Sequence, residues 1–181
     1  MKIYPYLIPI SATSTMNIAK NGKFWQSIVY RYEDGNFDQT QNNYKHYLKN
    51  STNFQNELLL FSQNMQNILD SERNYVNDTQ VYPKVINCAI FFLQPKISEV
   101  QWSIEFQGPF KLGDNIYSSY IDTATLDYPI HSIYVFDSMI EVQTVTTSLS
   151  YRVDQSKRVV EYWGKKGEYL QDFEQISFRL Y

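Results

Sequence analysis

Residues 99–107 alternate without a break: Val100, Trp102, Ile104 and Phe106 are separated by Glu99, Gln101, Ser103, Glu105 and Gln107. Successive side chains of a strand point to opposite sides, so this period of two sets four large apolar groups on one face of a sheet. Such a strand needs a packed cover on one side and tolerates water on the other, the arrangement typical of antiparallel sheets. The pattern continues toward the C-terminus, with strands predicted over 115–126, 130–136 and 139–153. The last is expected to bulge where Ile140 and Val142 give way to Val145, Leu149, Tyr151 and Val153. Asp154-Gln155-Ser156-Lys157 and Gly164-Lys165-Lys166-Gly167 are turn candidates that would close two hairpins. Ile176, Phe178 and Leu180 alternate in the closing strand.

Upstream, the run Lys84 to Gln94 is apolar enough to read as a central strand buried on both faces. Its antiparallel neighbour would be 98–107, across the Pro95-Lys96 turn. Two N-terminal strands, 2–10 and 24–32, are expected around a polar loop with a turn at Asn21-Gly22. Between Tyr44 and Val76 the period changes. Tyr44, Tyr47, Leu48, Phe54, Leu58, Phe61, Met65, Ile68, Leu69, Tyr75 and Val76 recur at three- and four-residue steps, which predicts an amphipathic helix. Asn50-Ser51-Thr52-Asn53 interrupts it with cap-forming residues, so a kink or a second helix from near Thr52 to about Tyr75 is expected. The opposite helix face carries Gln55, Asn56, Gln63, Asn64, Gln66, Asn67 and Asn74, amides that can be exposed or sit in an interface without the desolvation cost of ions. The expected architecture is a single α+β domain over residues 1–181. A mostly antiparallel sheet of about seven to nine strands packs on one long helix near residues 40–76.

A chain of 181 residues can carry a full core, burying roughly 70% of its unfolded surface. Its one cysteine, Cys88, cannot form an intrachain disulfide and lies in an apolar run, where it reads as a small buried hydrophobe. A net charge of −3 offers no concentrated basic surface, which disfavours nucleic acid as a partner. The charge is unevenly spread. Between Leu112 and Tyr151 there is no Lys or Arg, while Asp114, Asp122, Asp127, Asp137 and Glu141 fall there, an acidic face without the spacing of a calcium loop. The segment Met1 to Ile10 is short for a secretory core and interrupted by Pro5 and Pro9; the expectation is an intracellular protein that does not enter membranes.

The chain offers little recognisable catalytic chemistry. His46 and His131 are its two histidines, and neither has a local metal-ligand partner in sequence. Nucleophile-elbow, P-loop and dinucleotide motifs are absent, and no Lys follows a carboxylate at the two-residue offset used in many nucleases. Glu99 and Glu105 read as outward neighbours of Trp102 on a core strand rather than as a glycosidase pair. Asp114, Asp122, Asp137 and Glu141 are the carboxylates that could converge in a metal-dependent hydrolase. No catalytic residue, metal ligand or cofactor is assigned. The most specific surface feature is the last hairpin tip, where Tyr162, Trp163, Lys165, Lys166 and Tyr169, with Arg158 nearby, combine rings and cations. These are the candidate binding residues.

The first expectation for function is a non-enzymatic interaction protein acting through a protein partner or self-association. The alternative is a small-molecule binding module, its apolar, aromatic-lined pocket lying between helix and sheet and enclosing at least about 300 Å³. A hydrolase with dispersed carboxylates comes third.

Overall fold

The computed structural model describes residues 7–35 and 51–181. In chain order these form β1 (Leu7–Ile18), β2 (Lys23–Asp34), α1 (Ser51–Ser71), β3 (Arg73–Val76), β4 (Thr79–Val81), β5 (Lys84–Gln94), β6 (Ile97–Gln107) and β7 (Gly113–Tyr120). There follow β8 (Ala124–Thr125), β9 (Ile130–Phe136), β10 (Ile140–Thr146), β11 (Ser150–Val153), β12 (Val159–Gly164), β13 (Tyr169–Leu170) and β14 (Phe173–Leu180). A large sheet runs in the order β11-β12-β9-β1-β2-β6-β5, and a smaller one in the order β10-β14-β7-β3-β4; β13 and β8 form a separate ribbon. All pairings are antiparallel except β1 with β9.

Strand β6 shows how the molecule is assembled. Its even-numbered residues alternate with half-exposed polar ones, as the sequence requires, and Ser98, Val100, Trp102, Ile104 and Phe106 are all buried. Register carries that inward face across the sheet: Phe106 stands opposite Phe24, Trp102 opposite Ile28 and Val100 opposite Tyr30. On β1, Met16 and Ile18 continue it, and on β9 Tyr134 and Phe136. This single face has two covers. Val100, Trp102 and Ile104 pack against Met65 and Leu69 of α1. Phe106, Phe24, Met16, Phe136 and Val160 pack against Val76, Tyr117, Ile140, Ile176 and Phe178 of the smaller sheet.

Specific geometry reinforces both halves. Phe24 stacks on Phe106 at 4.3 Å and meets Phe110 edge-on at 5.6 Å, arrangements that add to plain area burial. Trp102 lies edge-on to Tyr30 and Phe61 and donates its indole N–H to the Phe61 carbonyl at 3.0 Å, pinning the helix to the sheet. Gln66 fixes the helix end by donating to the Pro83 carbonyl and accepting from the Val85 amide. The Asn21-Gly22 turn joins β1 to β2 with Gly22 at φ 82°, and a Cβ there would strike the Gly108 carbonyl oxygen.

Several expectations are corrected. The elements are more numerous, fourteen strands in three sheets among the described residues. The first strand extends through Ile18, past the segment expected to be loop; residues 2–6 lie outside the described part, as does 40–50 of the expected helix. The helix stops at Ser71, and Tyr75 and Val76 belong to β3. The run Lys84 to Gln94 is an edge strand rather than a central one: one face meets α1, while Ile86, Phe91 and Leu93 are exposed. Segment 139–153 does bulge near Val142, but it then divides, β10 joining the small sheet and β11 the large one. Asp154–Lys157 closes a hairpin between β11 and β12, whereas the Gly164–Gly167 turn leads to β13 and the chain crosses to the other sheet. No helix among the described residues is long and apolar enough to cross a membrane.

Replacing Trp102 with Ala removes a side chain only 2% exposed, together with the donor to Phe61. The expected loss is about 3–5 kcal/mol, read as a fall in the urea midpoint at unchanged slope.

Candidate functional site

Where a helix and a sheet cover the same face side by side, their side chains meet a different packing surface on each side. The seam in this protein encloses a cavity of about 160 Å³. Its floor is the large sheet, with Met16 of β1, Gln26, Ile28 and Tyr30 of β2 and Tyr134 of β9. One wall is Met65, Ile68 and Leu69 of α1, with Glu72 just beyond the helix end; the other is Asn74, Tyr117, Ser119 and Glu174 of the small sheet. Strand alternation aims these groups. Asn74 and Val76 share the inward side of β3 while Arg73 and Tyr75 take the other, and Glu174 falls in phase with Ile176 and Phe178 on β14.

The polar groups here are held apart from water. Burial pushes the Glu72 carboxyl up to about 7, helped by the charges of Glu174 and Asp122 and opposed by the Asn74 amide. Burial also raises Glu174, partly offset by the Thr147 hydroxyl, which donates to it at 2.8 Å. Tyr117 and Tyr134 are raised by burial and by the fields of both carboxylates, which places all four groups around one space. Tyr117 donates to Asn74 Oδ1 at 2.8 Å, yet Asn74 Nδ2, on a residue 2% exposed, has no acceptor at hydrogen-bond distance. Among the described residues, none that lines the cavity is Lys, Arg or His. The space is thus negative in potential, and the Asn74 N–H group, which lowers Glu72, makes no well-formed hydrogen bond. The cavity is smaller and more polar than the apolar pocket expected between helix and sheet.

The candidate binding residues at the last hairpin do not gather. Tyr162 points inward, 3% exposed, with its ring 5.2 Å from that of Tyr134, and Trp163 takes the opposite face of β12 because neighbours on a strand must. Lys165, Lys166 and Tyr169 are exposed beyond the strand, and Arg158 lies at its far end. Of the acidic tract, Asp114 and Glu141 flank Arg179 on neighbouring strands of the small sheet, while Asp122 and Asp137 lie elsewhere. Asp114 pairs with Arg179 at 2.8 Å, Asp137 accepts the Met139 amide, and Glu141 accepts the Tyr181 hydroxyl. Asp122 alone of these is felt at the cavity. Glu99 and Glu105 pair with Arg31 and Lys23 on the outer face. His131 bonds Glu161 at 2.7 Å, which Arg152 also contacts; His46 lies outside the described residues. Among the described residues no group of three His, Cys, Asp or Glu could hold a metal ion.

Glu72, Asn74, Glu174 and the tyrosines were not among the sequence candidates. A signal for Glu174 existed, since it stands two residues before Ile176 in the inward phase. A second groove, of about 670 Å³, lies on the outer side of the small sheet between Arg73, Tyr75, Asp78, Lys111 and Tyr120, with charges of both signs.

No family model matches the chain, and no curated protein matches it. Among solved structures, the folded domain of LppM from Mycobacterium tuberculosis is similar over 99% of this chain and 95% of that one, at 9% identity and a TM-score of 0.49. An M1 zinc metallopeptidase from Deinococcus radiodurans is similar over 94% of this chain and 42% of its own, at 8% identity and a TM-score of 0.38. Neither similarity bears on the chemistry of the cavity.

The raised carboxyls make stability fall as pH rises. Between the ordinary value of 4.5 and about 7, folded Glu72 keeps a proton that the unfolded chain has released, so folding is favoured at the acid end. Thermal unfolding is expected at a higher temperature at pH 5 than at pH 8. Glu72→Gln should narrow that gap and stabilise the protein at pH 8 by on the order of 1–3 kcal/mol. Asp154 acts in the opposite sense at lower pH, since its turn hydrogen bonds hold it at about 2. Cys88, raised to about 11 by burial, should react much more slowly with a thiol reagent at pH 8 than a free thiol does.

Proposed function

We propose that this protein is a small-molecule binding module whose site is the cavity between α1 and the two sheets. One observation carries the reading: two partly buried carboxyls raised by desolvation and a buried amide donor without a well-formed hydrogen bond line the same partly open cavity. Polar groups without partners are costly in a core, and an apolar filling of the seam would be the cheaper solution for folding alone. The rigid strands that present them suit binding, because a preformed pocket loses little entropy when filled. At 160 Å³ the space admits a fragment-sized molecule or one end of a larger one.

A second reading, action through a protein partner or self-association, is favoured by a different observation. Leu59, Leu60 and Ile68 are exposed on α1, and Ile86, Phe91 and Leu93 on β5. The register shifts near Ile86 and Leu93 blunt the free edge of β5 at both ends, so an associating chain would be held by these side chains rather than by strand addition. Sedimentation at high concentration tests it: a strict monomer with wild-type sequence, unchanged by Phe91→Lys, counts against self-association.

The cavity reading is tested by amide NMR during a screen of small polar fragments. Shifts are expected to cluster on Tyr30, Asn74, Ser119 and Tyr134, and Ser119→Phe, which fills the space, should abolish them. A bound fragment at ten times its dissociation constant should add about 1.4 kcal/mol of stability. Shifts confined to other surfaces, or surviving in Ser119→Phe, would remove the reading.

A further inference from the structure

The composition of the cavity narrows what can fill it. Glu72 and Glu174 face the space from two different elements, the charges of Glu174 and Asp122 raise Glu72 further, and no basic residue among the described lining offsets them. Asp122, close enough to raise Glu72, lies with Asp172 and Arg73 in the depression next to the cavity, which shares Ile121 with it and carries one more carboxylate than cation. That potential draws in a cation and rejects an anion. Tyr30, Tyr117 and Tyr134 add ring faces, which also favour positive charge. A divalent metal is a poor match, because it would need more oxygen ligands than two carboxylates supply and leaves an N–H donor facing it. Asn74 Nδ2 asks for an acceptor instead.

Resting on the cavity being a binding site, we propose that its ligand is a small amino alcohol. Its ammonium would be held by Glu72 and Glu174, and its hydroxyl oxygen would accept from Asn74 Nδ2. Each part of the molecule has a counterpart. The ammonium supplies N–H donors to two carboxylates that have no cation of their own, and the hydroxyl satisfies the one buried donor on the wall. The hydroxyl hydrogen can in turn be donated to a tyrosine or serine oxygen, with Tyr117 and Ser119 on the same wall. A plain alkylamine would leave the amide unbonded, and a neutral diol would leave the carboxylates uncompensated.

The experiment is a titration of the full chain at pH 8, read by amide NMR, with ethanolamine, ethylamine, ethylene glycol and benzene as separate probes. Ethanolamine should saturate shifts at the cavity residues with a dissociation constant of about millimolar or tighter, as four non-hydrogen atoms permit. Ethylamine should bind about five- to tenfold more weakly, and ethylene glycol at least about a hundredfold more weakly. Asn74→Ala should bring ethanolamine down to the level of ethylamine and leave ethylamine itself unchanged. Glu174→Gln should weaken both amines about tenfold or more; as it relieves a buried charge, it is expected to fold. Affinity should also rise between pH 5.5 and 8 as Glu72 ionises, and this dependence should shrink in Glu72→Gln to what the raised Glu174 alone contributes. If ethylene glycol or benzene shifts the same residues as strongly as ethanolamine, the cavity is a binding site but not one for amines, and only this inference falls. Ethanolamine binding unmoved by both variants overturns it as well. If no probe reaches the cavity, the binding reading falls with it.

Discussion

One continuous apolar face has to be kept dry, and nearly every other feature follows from that requirement. Six strands present it, from Val160 on β12 across Met16, Phe24 and Trp102 to Ile90 on β5. Such a face is too wide for a single helix, whose side-chain diameter is about 10–12 Å against a strand spacing near 4.8 Å. The chain meets the requirement with two covers of different kinds. Strand β6 crosses the boundary between them: Trp102 belongs to the core under the helix and Phe106 to the core under the small sheet.

The seam is therefore a consequence of the architecture, whereas its polarity is a choice of side chains. Leu69 and Met65 close it from the helix, and Phe106 and Met16 from below, so apolar groups of the right size already surround the space. Glu72, Asn74 and Glu174 interrupt them, Asn74 accepting from the Tyr117 hydroxyl and Glu174 from that of Thr147. Their desolvation subtracts from stability, and what offsets it is the burial of the two clusters on either side. Small domains carry only about 5–15 kcal/mol of net stability, so two partly buried carboxyls are a sizeable concession. That concession makes binding a better account of the seam than packing alone.

Legibility in the sequence followed the number of alternations available. Residues 99–107 show more than four, and the strand, its inward face and the burial of Trp102 could all be read directly. Arg73–Val76 shows barely two, next to a helix, so Tyr75 and Val76 were absorbed into the helical period. In β1 the alternation is present, but Ser11, Thr13 and Thr15 face outward against Ala12 and Ser14 inward, side chains too alike in size and polarity to mark the faces. The position of β5 at a sheet edge was beyond reach for a different reason. Composition reports how apolar a strand is, and Ile86, Phe91 and Leu93 are apolar; whether a neighbour lies beyond them is decided by strand order, a property of distant pairings.

The same distinction explains why the rings of the last hairpin do not share one face. Tyr162 and Trp163 are adjacent in sequence and so face opposite sides of β12, one into the core and one out of it. Proximity in sequence gathers residues on a turn but divides them on a strand. Residues that do share a space in this fold come from β2, β3, β7, β9 and β14 and from the end of α1, joined by register and by the closure of two covers over one face. Glu174 shows what a sequence reading can recover: a charged residue in the inward phase of an otherwise apolar strand is out of place for stability. Glu72, between the end of α1 and β3, meets it in the same seam without a basic residue among the described lining, a pairing that strand phase alone does not reveal.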